Sequence, residues 1–376
     1  MKNCIFYNKI NVLMNILIFM LILHNCLGIK YFTNDVLKQK NMFENFKIQY
    51  NKKYTSKQEE DNSFVNFIAS LKEIDEMNIL SKSYGLKNPA KFSITNFSDL
   101  NSSMIFHNAD KYIQLTENNN TNIRKLQSCD STTTQTLKDW SIGPNSITTS
   151  IKNQGWCMGG HWAHAVVEQV ESDALRRSLS YSYILSPQQL LQCVTNNNGC
   201  SIDGLGVLEY AFNYLKNTGL YLNNHYPYTS YSGWTGGPCN AISSNNNDEV
   251  VKVNGFYSVL TGNEECMANH VQTTGTLAVC LTVGANIRNY HSGILTVDTC
   301  LAPAYVWFML DNNHYITCGQ IVGINLVSGT ETYWKYRGSY GIGWGEAGYA
   351  KIAYGTNACN INQNPIYSSV LVQGEF

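Results

Sequence analysis

The amino-acid sequence predicts an α+β fold, with helices concentrated in its first part and β-strands in its second. Apolar residues recur at helical spacing in residues 43–78 and again after residue 160. From residue 250 onward the sequence changes to short β-rich runs separated by Gly, Asn and Thr turns. At 376 residues the chain is long enough for two or three domains with a large core. The net charge of −1 gives no reason to expect a nucleic acid or an anionic membrane as a partner.

The first 28 residues have the features of a secretory signal peptide. Lys2 and Lys9 precede an apolar run over residues 12–23, and the small residues Cys26 and Gly28 follow it. The run is too short to cross a membrane, although a buried N-terminal helix is an alternative interpretation. No later run is long and apolar enough to span a membrane. Because of the signal peptide, we expect a protein that passes through the secretory pathway. Its destination would be extracellular or a lysosome- or vacuole-like compartment, and its cysteines would pair.

Residues 43–78 predict two amphipathic helices. Ser56 and Glu59 have the spacing of a capping box that opens the second and longer helix. Its apolar stripe consists of five side chains at helical spacing, namely Phe64, Phe67, Ile68, Leu71 and Ile74. The polar, Asn- and Thr-rich residues 115–135 show no periodicity and predict a linker.

A glycine-containing loop over residues 153–161 leads into an apolar helix that starts near Trp162. A helix start presents free backbone N–H groups and the positive end of the helix dipole, which suits a thiolate or an oxyanion. Further on, Ser186 and Pro187 begin another helix, and a third is predicted around residues 208–215. Strands are predicted at six places, over residues 250–259, 277–283, 315–326, 331–336, 349–354 and 368–373.

These segments together resemble the papain-like cysteine peptidases. The loop resembles the family's Q-G-x-C-G-S-C-W-A, with Gln154, Cys157, Trp162 and Ala163 at matching positions. His314 lies in a segment similar to the family's histidine motif, and residues 333–346 resemble Y-W-x-x-x-N-S-W-G-x-x-W-G-E. The upstream helices resemble the family's inhibitory propeptide, whose motif residues are matched here by Glu59, Phe67, Ile74, Asn78, Phe97 and Asp99.

The resemblance implies a papain-like fold of two lobes, one helical and one an antiparallel, barrel-like β-lobe, preceded by a helical propeptide. We predict a signal peptide over 1–28, an inhibitor-type propeptide and linker over 29–128, and a peptidase domain over 129–376. The helical lobe would occupy about 129–249 and the β-rich lobe 250–376. A peptide or protein ligand would lie in the interlobe cleft, with the propeptide bound in cis. The family implies no cofactor, and we expect a monomer.

The positions that carry the family's chemistry are altered. Gln154 matches the oxyanion-hole glutamine and His314 the general base. The loop is one residue longer than the family pattern, so the nucleophile position falls on Gly160 or, with better support, on His161, and neither is a cysteine. Gly338 stands where the family has the asparagine that orients the base. The expected substrate-binding positions are Ile202, Asp203, Gly204, Asn313, Tyr340 and Trp344.

Two of the three triad positions are therefore replaced, in separate segments. This pattern favours a catalytically inactive member of the family that binds peptides or proteins or has a regulatory role. The alternative is an active secreted or lysosomal cysteine endopeptidase with a rearranged loop and Cys157 as the nucleophile. A metal site built from His161, His164 and His314 is a further alternative, although we predict no metal because His164 replaces a phenylalanine that points into the core.

Removal of Cys4 and Cys26 with the signal peptide leaves ten cysteines. The resemblance implies three disulfides, namely Cys157–Cys200, Cys193–Cys239 and Cys300–Cys359, since sequence alone does not determine connectivity. The pairing of Cys129, Cys266, Cys280 and Cys318 stays open. Cys280 and Cys318 lie in apolar strand patterns, where a free cysteine is usually a small core residue.

Overall fold

A computed structural model describes residues 30–101, 107–109, 124–125, 129, 134–177, 184–201, 206–233, 237–240, 250–302, 304–306, 309–311 and 314–371. The predicted signal peptide lies outside these residues. Within them, no helix combines the length and the apolar character that a bilayer crossing needs.

The propeptide begins with two helices, α1 (Val36–Gln49) and α2 (Lys57–Ser83). Ser56 caps α2 as predicted, because its hydroxyl accepts the N–H of Glu59. Four aromatic and aliphatic side chains pack between the helices in a core of their own, formed by Phe43, Phe46, Phe67 and Leu71. The apolar stripe of α2 therefore buries the face that the sequence pattern predicts.

The helical lobe contains α3 (His161–Arg177), α4 (Pro187–Cys193) and α5 (Leu208–Thr218). A 3₁₀ turn over Met158–Gly160 precedes α3. Residues 161–175 of α3 are all buried, since the helix lies between the other helices and the sheet. Trp162, Val166 and Phe212 belong to the core that these elements share.

The strands, in chain order, are β1 (Lys91–Phe92), β2 (His107–Asn108), β3 (Arg124–Lys125), β4 (Leu137–Asp139), β5 (Leu220–Tyr221), β6 (Val250–Ser258), β7 (Leu277–Val283), β8 (Tyr290–Ser292), β9 (Ile294–Leu295), β10 (Ala304–Val306), β11 (Met309–Asp311), β12 (Tyr315–Asn325), β13 (Tyr333–Arg337), β14 (Tyr349–Ala353) and β15 (Ile366–Leu371). The longer ones match the six predicted strands, with boundaries that differ by one or two residues. Two short helices, α6 (Glu264–Thr273) and α7 (Val297–Leu301), connect strands of this lobe.

The main sheet of the described residues runs in the order β3-β6-β15-β7-β12-β13-β14-β9. Strands β2 and β4 add to β12, and β5 adds to β6. Strand β12 is buried along its whole length and contacts α3. The chain is therefore α+β, with a helical lobe packed against a strand-rich lobe along α3 and β12.

The propeptide is built into the β-lobe rather than laid on its surface. Strand β1 pairs antiparallel with β8, and Thr95 donates its hydroxyl to the carbonyl of Arg288 at 2.7 Å. The Arg288 guanidinium contacts the Glu73 carboxylate of α2 at 2.6 Å, and both side chains are almost fully buried. Side chains from both parts, such as Phe92 of the propeptide and Trp334 of the sheet, belong to one hydrophobic core.

Five disulfides link the ten cysteines that follow residue 28. They include the three pairs that the resemblance implied. The remaining four cysteines form Cys129–Cys266 and Cys280–Cys318. The interpretation of Cys280 and Cys318 as unpaired core residues is wrong, because they lie directly opposite each other on the antiparallel strands β7 and β12.

Candidate active-site cleft

The loop that corresponds to the family's nucleophile loop is fixed by a disulfide and by two glycines. Cys157 is bonded to Cys200, so its sulfur is not a thiol. A Cβ added to Gly159 would lie 2.3 Å from the carbonyl oxygen of Ser201, and one added to Gly160 would lie 2.5 Å from the sulfur of Cys157. Only glycine fits at both positions, because the loop passes directly against the chain around Cys200.

His161, the first residue of α3, is fully buried and faces the β-lobe. Its Nδ1 accepts the backbone N–H of Cys318 in β12 at 3.1 Å. An accepting nitrogen carries no proton, so this bond requires the neutral imidazole with its proton on Nε2. The side chain at the preferred nucleophile position thus ties α3 to β12.

The amide of Gln154 is engaged on both sides within the protein. Its Nε2 donates to the carbonyl oxygens of Cys157 at 3.2 Å and of Met158 at 2.9 Å. Its Oε1 accepts the hydroxyl of Ser339 at 2.6 Å, and the side chain is buried. In this arrangement the amide donors point at backbone oxygens instead of at an oxyanion site.

Gly338 lies beneath two aromatic rings. A Cβ at this position would be 3.1 Å from the ring of Tyr340 and 3.3 Å from that of Trp344. Tyr340 is buried, its hydroxyl bonds to Thr317, and its ring meets that of Trp344 edge to face at 5.0 Å. The position therefore supplies no side-chain acceptor, and the adjacent rings fill the space over it.

His314 is exposed at the start of β12, and its carbonyl accepts the N–H of Ala109 at 2.9 Å. Ala109 follows β2, which adds to β12 as an antiparallel strand. Ala109 is buried in the core of the helical lobe. Residues 107–109 therefore lie beside the predicted base.

The propeptide also contacts Tyr340, one of the predicted binding positions that are described. Phe97 meets the ring of Tyr340 edge to face at 5.7 Å. Together with Asn96 and Leu100 it lines a cavity of about 30 Å³ against Met158 and its loop. Ile202, Asp203, Gly204 and Asn313 lie outside the described residues.

Buried ionisable groups surround α3. Burial lowers the pKa of His164 to about 4, and its Nδ1 donates to the carbonyl of Gly160 at 3.0 Å. Burial raises the pKa of Glu168 to about 7, although the Arg337 guanidinium at 3.4 Å opposes the shift. His164 is thus a neutral core residue packed against Tyr228. Among the residues described, no three His, Cys, Asp or Glu side chains could jointly hold a metal ion, and this includes His161, His164 and His314.

Sequence reasoning missed several residues of this cleft. Met158 lines the cavity under the propeptide, and Trp156 and Tyr231 form its outer edge. It also missed the Cys280–Cys318 disulfide behind His161. One signal in the sequence could have indicated this disulfide. Three pairs use six of the ten cysteines, and in an oxidising compartment the remaining four are expected to form two further pairs.

The sequence pattern of the papain family cysteine proteases matches residues 134–369, and that of the cathepsin propeptide inhibitor domain matches residues 43–105. The chain is 29% identical over 342 residues to cysteine proteinase 2 of Leishmania pifanoi, which covers 88% of this chain and 69% of that protein. It is 28% identical to the viral cathepsin of Adoxophyes honmai nucleopolyhedrovirus, over 90% of this chain and 93% of that one.

Solved structures of precursor forms share the fold. A digestive procathepsin L 3 from Tenebrio molitor larval midgut superposes with a TM-score of 0.66 at 22% identity, over 88% of this chain and 99% of that one. A recombinant stem bromelain precursor superposes with a TM-score of 0.68 at 23% identity, again over 88% and 99%. With its propeptide seated on the cleft and its two lobes joined along α3 and β12, the chain belongs to the papain family of cysteine proteases.

Proposed function

We propose that this protein is a catalytically inactive member of the papain family that binds a peptide or protein segment in the cleft between its lobes. It would act by holding that segment or by competing for it with active relatives. The predicted signal peptide and the five disulfides support a place in the secretory pathway, either outside the cell or in a lysosome-like compartment.

The observation that carries the proposal is the absence of a thiol. Every cysteine of the described residues is in a disulfide, and the two others, Cys4 and Cys26, lie in the predicted signal peptide. Cysteine peptidases need a thiolate as the nucleophile. Cys157, the candidate of the active-enzyme alternative, would first have to be released from Cys200.

The groups that would assist a nucleophile support the same conclusion. Gln154 donates its amide hydrogens to backbone oxygens, and Gly338 has no acceptor for the N–H of His314. In a serine protease a fault in the third triad member costs about 10⁴ in kcat, and loss of an oxyanion donor costs about 10²–10³. Loss of the nucleophile alone costs about 10⁶.

Peptide binding is supported by what the cleft holds in this structure. The chain segment that ends at Ala109 adds a strand to β12, and Phe97 packs on Tyr340. Main-chain pairing to the open edge of a sheet is a common mode of peptide recognition that does not depend on catalysis. The lobes could therefore keep their binding role after the loss of the triad.

The proposal is tested with the purified secreted protein, using active papain as the positive control. We expect no turnover of fluorogenic dipeptidyl substrates at mildly acidic pH and no labelling by a thiol-directed epoxide. Thiol titration after unfolding without reductant should find no free thiol. Turnover that the epoxide abolishes would overturn the proposal and restore the active-enzyme alternative.

A further inference from the structure

Two exposed aromatic side chains, Trp156 and Tyr231, line the same cavity at the rim of the cleft. Trp156 is 48% exposed and Tyr231 is 53% exposed. The backbone N–H of Trp156 donates to the carbonyl of Tyr231 at 2.8 Å, and the Asn153 amide donates to the Tyr231 hydroxyl at 3.3 Å. The two loops that carry these rings are therefore held together by hydrogen bonds.

Gly155 explains how the loops approach so closely. Its φ is +59°, and a Cβ there would lie 2.4 Å from the carbonyl oxygen of Tyr231. A larger residue would push the two loops apart. The two loops are thus held in place before a ligand arrives, which reduces the entropy cost of ordering them on binding.

A cation already lies over the Trp156 ring. The ammonium of Lys52, from the loop between α1 and α2, is 5.3 Å from the centre of the Trp156 ring. Its side chain is only 5% exposed, although lysine is rarely buried. Its polar partners, Asp99 at 2.8 Å and the carbonyl of Asn96 at 2.7 Å, both belong to the propeptide. The ammonium also lies 5.3 Å from the centre of the Phe46 ring of the propeptide, and the peptidase domain contributes the π face of Trp156.

Trp156 and Tyr231 lie next to the part of the cleft that the propeptide residues 96–100 occupy. The cavity of about 30 Å³ beneath them is lined by Asn96, Phe97 and Leu100 of the propeptide and by Met158, two residues beyond Trp156. A chain that follows the course of residues 96–100 would therefore pass beside the Trp156 ring. No carboxylate belongs to the peptidase-domain residues that line this cavity.

We propose that Trp156 and Tyr231 form a subsite that accepts a lysine or arginine side chain of the peptide bound in the cleft, and that Lys52 fills this subsite in the precursor. The inference rests on the proposed peptide-binding function and names the kind of peptide. Attraction between a cation and an aromatic ring amounts to about 3- to 10-fold in affinity at a partly exposed site. The subsite formed by Trp156 and Tyr231 would therefore select among peptides that the cleft already binds.

The test uses the full chain with a protease recognition site inserted between residues 110 and 120. After the cut, the propeptide piece is free to leave the cleft, and size-exclusion chromatography checks that it has left. The Cys129–Cys266 disulfide lies on the peptidase side of the cut. The probe is a fluorescent heptapeptide, Ile-Thr-Lys-Phe-Ser-Asp-Leu, which follows residues 94–100 but carries lysine in place of the Asn96 side chain. A second probe replaces that lysine by norleucine, which has similar length and no charge.

Binding is measured by fluorescence anisotropy for the unchanged chain and for the variants Trp156→Leu and Trp156→Phe. We expect the lysine probe to bind about 3- to 10-fold more tightly than the norleucine probe. The difference should disappear in Trp156→Leu and persist in Trp156→Phe, which keeps a π face. Trp156 is half exposed, so neither variant removes a core residue.

The outcomes separate the two proposals. Equal binding of both probes, unaffected by Trp156→Leu, would overturn the basic subsite and leave peptide binding in the cleft intact. Failure of both probes to bind any variant, with the propeptide released from the cut chain, would overturn the proposed function itself.

Discussion

The Nδ1 atom of His161 accepts the backbone N–H of Cys318 at 3.1 Å, which binds the first residue of α3 to the middle of β12. The bond would be lost if the imidazole were protonated, because both ring nitrogens of an imidazolium are donors. The residue at the predicted nucleophile position therefore has a structural role here. It joins the two lobes at the floor of the cleft.

We first predict that His161→Cys does not restore a working peptidase. The new thiol would take a fully buried position, and the N–H of Cys318 would lose its acceptor. Gln154 would still donate to backbone oxygens, and Gly338 would still offer no acceptor. We expect turnover about 10⁴-fold or more below that of papain, together with slow alkylation by iodoacetamide.

The matched comparison adds Gly338→Asn to His161→Cys. The double variant should exceed the single one in turnover, provided that the Tyr340 ring moves, since a Cβ at position 338 lies 3.1 Å from it. If His161→Cys alone cleaves peptides at rates typical of active relatives, the proposed faults at Gln154 and Gly338 are not limiting.

The second prediction concerns the loop before α3. Gly159→Ala should destabilise the protein by about 1–3 kcal/mol, because its Cβ would lie 2.3 Å from the Ser201 carbonyl oxygen. Gly343→Ala is the control, since nothing lies within 4 Å of a Cβ there. Urea unfolding at constant pH measures the free energy of unfolding of both variants. Equal stability of the two variants would show that the loop can move away from residue 201.

The third prediction is a pH dependence of stability that His164 causes. Burial lowers the pKa of His164 to about 4, the hydrogen bond to Gly160 opposes the shift, and the charge of Lys152 adds to it. A histidine with a lowered pKa stabilises the fold above its unfolded pKa of about 6.5, and this contribution is lost as the pH falls toward 4. Between pH 7.5 and pH 5 the loss is about 2 kcal/mol.

His164→Phe removes this titration, and phenylalanine suits a site that already packs edge to face on Tyr228. The variant should therefore gain stability relative to the unchanged protein as the pH is lowered from 7.5 to 5. The control is a change at the exposed His225, His225→Gln, which should leave the pH dependence as it is. A constant difference between His164→Phe and the unchanged protein across this range would contradict the assignment.

The fourth prediction concerns the buried ion pair between Glu73 of the propeptide and Arg288 of the β-lobe. Glu73→Gln leaves the Arg288 guanidinium buried without its carboxylate, which costs about 3–5 kcal/mol in comparable pairs. Glu44→Gln removes an ion pair to Lys47 from a side chain that is 62% exposed, so it should cost less than about 1 kcal/mol. Thermal unfolding of the full chain measures the stability of both variants. If Glu73→Gln is as stable as Glu44→Gln, water reaches the Arg288 guanidinium and the pair is not effectively buried.

The sequence by itself predicted much of the local structure and the family resemblance on which the proposed inactivity rests. The period of the apolar residues predicted α2, and the β-rich runs predicted β7 and β12, because these signals come from neighbours a few residues apart. The motif positions predicted that His161 and Gly338 stand where the family has its cysteine and asparagine. They also led to the fold, since the papain-like pattern extends over the propeptide and both lobes.

The tertiary structure alone decided which distant groups meet. His161 and Cys318 are 157 residues apart, and Arg288 and Glu73 are 215 apart, so no local pattern records their contacts. The pairing of Cys280 with Cys318 depends on the register of β7 against β12. The position of Lys52 over Trp156 likewise depends on how the propeptide docks. Such contacts depend on the packing of whole elements, because the chain between the partners does not constrain their distance.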